Sequence, residues 1–244
     1  VKEAVGGSQG SENAPLVLEH LNLDISPGET IAIVGRTGSG KSTIARLLMR
    51  FYELQGGKIS LDGNDIRSVT QASLRSAISL VPDEPFLFST SVHENISYGK
   101  PNASRAEVEA AARAAQAHEF IVELEDGYDT VVGERGYDLS GGQRQRISLA
   151  RLFLSDPSVI ILDDSTSAID VEIEERIHGS LKELLRKRTT IVIAHRLSTI
   201  ALADRVVLVN DGQVIADGTH QQLLDTEPRY VETLAASLGE NDSW

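Results

Sequence analysis

Cysteine is absent from the 244-residue chain, so no disulfide framework, thiolate metal site or cysteine nucleophile can operate in it. Long apolar runs are absent too. None exceeds four residues, as in Val159–Leu162 and Val206–Val209, where a membrane-spanning helix needs about twenty. The chain's start has no basic segment followed by an apolar one, so no signal peptide is expected. Positive charge is in deficit: 23 Lys and Arg against 36 Asp and Glu leave a net charge of −13, which repels phosphate backbones and anionic lipid. A nucleic-acid partner is therefore not expected. Aromatic residues make up 5% of the chain, and none precedes Phe51. Low complexity is confined to Val5–Asn13, and no repeat of fixed period occurs. The sequons at Asn95 and Asn102 are read as chance matches in loops. What remains is 41% apolar residues, enough for a core, in a chain long enough for one large α/β domain or two small ones.

Ile31–Val34 is a short β-branched run followed at once by Gly35, and Ile44, Leu47, Leu48 and Phe51 then recur at helical spacing. The pattern is strand, glycine loop, helix. Val159–Leu162 predicts a second buried strand ending in Asp163 and Asp164, and Thr189–Ala194 a third ending at His195. In a parallel α/β sheet, ligands collect beyond the carboxyl ends of the strands, so these three ends are expected to converge on one site. Lys58–Ile66 around Asp62-Gly63 and Val206–Ala216 around Asp211-Gly212 read as hairpins. Between Ser104 and Leu154 the pattern turns helical. Ser104 with Glu107 forms one capping box and Ser140 with Gln143 another, and Glu172–Leu185 adds an amphipathic helix.

The run Gly35, Arg36, Thr37, Gly38, Ser39, Gly40, Lys41, Ser42 satisfies G-x-x-x-x-G-K-[ST] between a predicted strand and a predicted helix. Glycines let successive backbone N–H groups point at phosphate, and the helix start adds a favourable dipole. Lys41 reaches the terminal phosphates and Ser42 Oγ can ligate Mg²⁺. A nucleoside triphosphate is the expected ligand. Asp163 closes a hydrophobic strand and offers Mg²⁺ an oxygen, directly or through water, and Asp164 is a candidate for orienting or deprotonating the attacking water. Leu139, Ser140, Gly141, Gly142 and Gln143 form a second glycine-containing helix start with a serine cap, hence a second anion site. Two cradles on one chain suggest two molecules facing each other.

On these residues the chain resembles the nucleotide-binding domain of an exporter-type ATP-binding cassette transporter, from about residue 15 to 235. Val132–Gly136 resembles the exporter stretch that touches the transmembrane part. Ser167, Ala168, Ile169 and Asp170 resemble the D-loop, and His195 the switch histidine at the γ-phosphate. The resemblance implies a P-loop (RecA-like) α/β core sheet with a small antiparallel β subdomain and an inserted α-helical subdomain. It places the core and β parts at about 15–85 and 155–235, the helical part at about 86–154, and a linker or trimmed edge at 1–14. It extends the nucleotide-binding loop through Thr43. It also implies that two such domains clamp two Mg-ATP head to tail, each ATP lying between one chain's phosphate loop and the other's signature, Leu139–Gln143. The implied setting is the cytoplasmic face of a membrane, beside a transmembrane domain.

Three positions depart from the family pattern. Asp164 stands where glutamate is usual, one methylene short. Asp83 replaces the Q-loop glutamine, which keeps an oxygen for Mg²⁺ but adds charge and removes an amide donor. No aromatic precedes the loop at the place where adenine is usually stacked, near Gly10. Two substitutions at catalytic positions beside intact cradles suggest a slow half-site in a heterodimer whose other chain carries Glu after its own aspartate. A homodimer with reduced turnover, a soluble cassette ATPase outside transport, and a non-hydrolysing regulatory module are the alternatives.

Overall fold

The computed structural model describes residues 16–133, 139–165, 169–194 and 196–241. The chain divides into two compact units, one formed by the residues up to Ile78 together with those from Thr189 onward, the other by Ser79–Arg188.

In the first unit β1 (Thr30–Val34) is buried at every position, as its β-branched run requires of a strand covered on both faces. Helix α1 (Lys41–Leu48) follows the glycine loop and buries Ile44, Ala45 and Leu47. The sequence pattern carries this helix on to Phe51, but the structure ends it three residues earlier. Arg50 takes a left-handed φ of 48°, its N–H bonds Leu47 O and the Phe51 N–H bonds Arg46 O. That is a Schellman stop with arginine where glycine is usual, so the sequence carried no stop signal. Phe51 is half exposed and lies under the Arg75 guanidinium. The expected first hairpin is present as β2 (Ser60–Leu61) and β3 (Asn64–Asp65), an antiparallel pair, and α2 (Gln71–Ala77) is capped by Thr70.

The second unit opens with β4 (Ile78–Val81) and continues into α3 (Val92–Ser97), α4 (Arg105–Ala114) and α5 (His118–Val122). It ends with α6 (Gly141–Ser155), β5 (Val159–Asp163), adjacent to β4, and α7 (Val171–Leu185). The capping boxes at Ser104–Glu107 and Ser140–Gln143 form as expected, and a third starts α3 at Ser91–Glu94. Asn95, expected in a loop, sits inside α3 and is fully buried. Its Oδ1 accepts from the Phe88 N–H at 2.9 Å and from Arg151 Nη2 at 2.6 Å, and its Nδ2 donates to Phe88 O at 3.0 Å. Arg151 also donates to Asn95 O and Phe86 O. Buried polar groups must find such partners, and these lie up to 56 residues away, beyond the reach of a local pattern.

The first unit resumes with β6 (Thr189–Ile193), α8 (Leu197–Ile200), β7 (Arg205–Asn210), β8 (Gln213–Gly218), α9 (His220–Thr226) and α10 (Pro228–Asn241). Its strands run in the order β6-β1-β7-β8, with β1 parallel to both neighbours and β8 antiparallel to β7. Ile31, Ile33, Ile44, Ile191, Val207 and Val209 form the core between sheet and α1, and Leu18, Leu21, Leu23 and Ile25 pack on it from the segment before β1. The fold is α/β with a parallel-dominated sheet and a separate small antiparallel pair, as the sequence implied.

Candidate functional site

The phosphate-binding candidates occupy the loop between β1 and α1. Gly35 could not be another residue: a Cβ there would lie 2.2 Å from Val209 O and 2.8 Å from Ser39 Oγ. Gly40 precedes the helix at φ 100°, and no side chain caps the first turn, unlike the starts of α3, α4 and α6. Arg36, Thr37 and Gly38 are exposed, Ser39 and Gly40 are buried, and Ser42 and Thr43 are half-buried. Lys41 is 5% exposed, with Nζ donating to Gly35 O at 2.6 Å and Arg36 O at 3.0 Å. The ammonium is thus wrapped by the loop that precedes it. Ser39 Oγ is buried without a hydrogen-bond partner, a polar atom facing the loop interior. These features fit a bound oxyanion: backbone donors at an uncapped helix start, one enclosed cation and one unsatisfied hydroxyl.

Neighbouring strands fix where the loop sits. Because β1 and β6 are parallel and in register from Thr30–Thr190 to Ile33–Ile193, their carboxyl ends lie on the same edge. Ala194 donates to Ile33 O at 3.1 Å. His195, expected at that edge, lies outside the described residues. Arg36 reaches Glu232 of α10 at 3.7 Å beside a cavity of about 200 Å³, which Asn210 and Arg229 also line.

The second group of candidates lies in the other unit. Asp163 ends β5 half-buried, and Asp164 follows at φ 45°, a left-handed conformation that aspartate tolerates better than most residues. Ser140 accepts from the Gln143 N–H at 3.2 Å and donates its own N–H to Gln143 Oε1 at 2.8 Å. Leu139 is buried, whereas Gly141, Gly142 and Gln143 are half-buried in the first turn of α6. One contact was not legible in the sequence: the buried Gln145 donates from Nε2 to Asp83 O at 3.0 Å, tying the exposed Asp83 to α6. Arg146, one residue on, has its pKa lowered by burial, against the attraction of Asp170 at the start of α7. Ser167, Ala168 and the Glu134–Gly136 stretch lie outside the described residues.

Ser42 and Asp163 are oxygen donors of the kind a hard divalent cation takes. The described residues hold no group of three or more His, Cys, Asp or Glu suited to a metal. Among the described residues no helix is long and apolar enough to cross a membrane.

Residues 18–167 match the ABC transporter family, a span that includes both glycine-containing helix starts and the Asp163–Asp164 pair. The chain belongs to the ABC transporter family. It is 53% identical over 222 residues to an ATP-dependent lipid A-core flippase of Alkalilimnicola ehrlichii, a match covering 90% of this chain and 37% of that protein. It is 49% identical over 214 residues to a putative multidrug export ATP-binding/permease protein of Bacillus subtilis, covering 88% and 37%. Among solved structures it resembles a bacterial Atm1-family ABC exporter with ATP bound, at a TM-score of 0.86 and 45% identity over 90% of this chain and 38% of that one. The chain thus spans less than two fifths of the length of these relatives.

Proposed function

We propose that this chain is the ATP-binding and ATP-hydrolysing motor domain of an exporter, set at the cytoplasmic face of the cell membrane and joined to a transmembrane domain that selects the cargo. Residues 15–244 form the domain, with the helical part at about 86–154 inserted in the core. Support comes from relatives named as ATP-binding/permease proteins and from an ATP-bound exporter of the same fold. The single observation that carries the reading is Lys41, enclosed at the start of an uncapped helix by the carbonyls of its own loop. Exchanging those carbonyls for a γ-phosphate replaces two neutral acceptors with a charged one, which binds an ammonium more strongly.

In this reading Gly35–Thr43 bind ATP, and Ser42, Asp163 and Asp83 hold Mg²⁺, whose charge would polarise the phosphate oxygens. Leu139–Gln143 close on the ATP of a second, non-identical nucleotide-binding domain, with Ser167, Ala168 and Asp170 along the same contact. Asp164 and His195 position the attacking water. Water gives a proton to Asp164 as it forms the new bond to the γ-phosphorus, the bond from that phosphorus to the ADP oxygen breaks, and departure of the inorganic phosphate then removes the anion shared by the two helix starts. The clamp then opens, a population shift controlled by the ligand. Asp164, a methylene shorter than glutamate, sets the water back by about 1 Å, enough for roughly a hundredfold loss in rate. The partner supplies the fast site, with Glu after its own aspartate.

The test is Asp164→Glu in the assembled transporter, with the partner's site inactivated so that turnover reports only the site containing Lys41. Turnover is expected to rise about ten- to hundredfold, and Lys41→Ala in the same background to abolish it. Unchanged turnover with Asp164→Glu counts against the slow half-site.

A further inference from the structure

The phosphate loop is held from behind by two backbone hydrogen bonds in series. At the tip of the β7–β8 hairpin, the Gly212 N–H donates to Ser39 O at 3.1 Å, and Gly212 O accepts from the Glu19 N–H at 3.3 Å. Side chains fill the same junction. A Cβ at Gly40 would lie 2.5 Å from Leu18 Cδ2, so the loop rests directly on the segment before β1. Gly212 is tighter still: a Cβ there would lie 2.2 Å from Val17 O and 3.0 Å from Leu18 Cα, both backbone atoms that no rotamer change can move aside. Three residues before Gly212, the Val209 carbonyl closes on Gly35 in the same way, 2.2 Å from where a Cβ would stand. The hairpin tip and the Val17–Glu19 segment therefore meet backbone to backbone, while the Leu18 side chain fills the space under Gly40.

We infer that Gly212 is a positioning residue for nucleotide binding: the hairpin tip it forms sets the height of Ser39 and Gly40 and transmits displacements of Val17–Glu19 to the phosphate loop. The inference rests on the reading of that loop as the ATP site. No phosphate contact by Gly212 itself is involved, since its N–H is already given to Ser39 O.

The molecule contains its own control. Asp62-Gly63 turns the β2–β3 hairpin with φ values of 49° and 79°, and Asp211-Gly212 turns the β7–β8 hairpin with 47° and 75°. Backbone strain on replacing either glycine is therefore matched. Only the surroundings differ, for a Cβ at Gly63 meets nothing within 4 Å.

Gly212→Ala and Gly63→Ala are compared in the 244-residue chain for affinity toward a non-hydrolysable Mg-ATP analogue by calorimetry, alongside thermal melting. Both variants are expected to lower Tm, but only Gly212→Ala to weaken the nucleotide, by tenfold or more, with Gly63→Ala within twofold of the parent. Equal changes in affinity for the two variants, with the parent still binding saturably and Lys41→Ala abolishing binding, overturn this inference alone. A parent chain that does not bind the analogue overturns the nucleotide reading and this inference with it. Should Gly212→Ala fail to fold, hydrogen exchange in the parent chain decides. The Gly212 amide is expected to gain protection with nucleotide while the Gly63 amide does not, and equal behaviour of the two overturns the positioning role.

Discussion

Asn95 shows how one side chain can hold a turn of backbone that no pattern announces. Buried inside α3, it supplies an acceptor to the Phe88 N–H and to Arg151, and a donor to Phe88 O. Removing the amide leaves the Phe88 N–H and part of the Arg151 guanidinium without their acceptor beside a fully buried position, whereas Phe88 O keeps the Thr90 N–H. Such unsatisfied groups cost about 1–3 kcal/mol each when neutral and more when charged. Asn95→Ala is accordingly expected to destabilise the fold by about 3 kcal/mol in urea unfolding, while Asn102→Ala, on an exposed turn, changes little. Asp164 is the converse case: its identity was readable as a departure from the family pattern, but its left-handed backbone was not. That conformation comes from how the chain leaves β5, which is a property of the strand end and not of the residue.

At the scale of elements, helix starts were legible and helix ends were not. Starts are written in two side chains three residues apart, and the boxes at Ser104–Glu107 and Ser140–Gln143 form as the spacing required. The stop at Arg50 is written in no side chain. One start also carries a pH dependence. Glu107 bonds Lys100 Nζ at 2.7 Å and accepts from the Ser104 N–H and hydroxyl, and the lysine contact foremost holds its carboxyl down at about 2, from an ordinary 4.5. An acid with a lowered folded pKa contributes stability above the unfolded pKa and loses it as pH falls through the folded one. Glu107→Gln keeps the cap geometry without the charge. The parent's higher Tm relative to this variant is therefore expected to be constant above about pH 4.5, to shrink between 4.5 and 2, and to vanish near 2. A margin unchanged at pH 2 in thermal melts would rule out the Lys100 contact as its cause.

For the whole molecule, an overall charge of −13 surrounds an oxyanion site built on one enclosed lysine. The global field repels polyanions, while the local donors act at contact distance, where the field of distant charges is screened within about 10 Å at 0.1 M salt. Mg-ATP at a hundredfold its Kd is therefore expected to stabilise the chain by about 2.7 kcal/mol, a rise of several degrees in Tm. Lys41→Ala is expected to abolish the rise. Duplex DNA at the same phosphate concentration is expected to leave Tm unchanged, and thermal melting in both ligands checks this.

The sequence by itself determined the local grammar: the buried strand β1, the glycine loop and its lysine, the serine-capped start of α6 and the two Asp-Gly hairpins. Each of these is decided by residues within a few positions of one another, through periodicity, φ preference or a cap. Tertiary structure alone decided the contacts that hold those pieces in place. Gln145 reaches Asp83 across 62 positions, Arg151 reaches Asn95 across 56, and the tip of one hairpin wedges against Val17 beneath the phosphate loop. Hydrogen bonds and close packing between distant segments depend on where folding brings backbone atoms together, and the linear order of residues does not encode those distances in any local pattern.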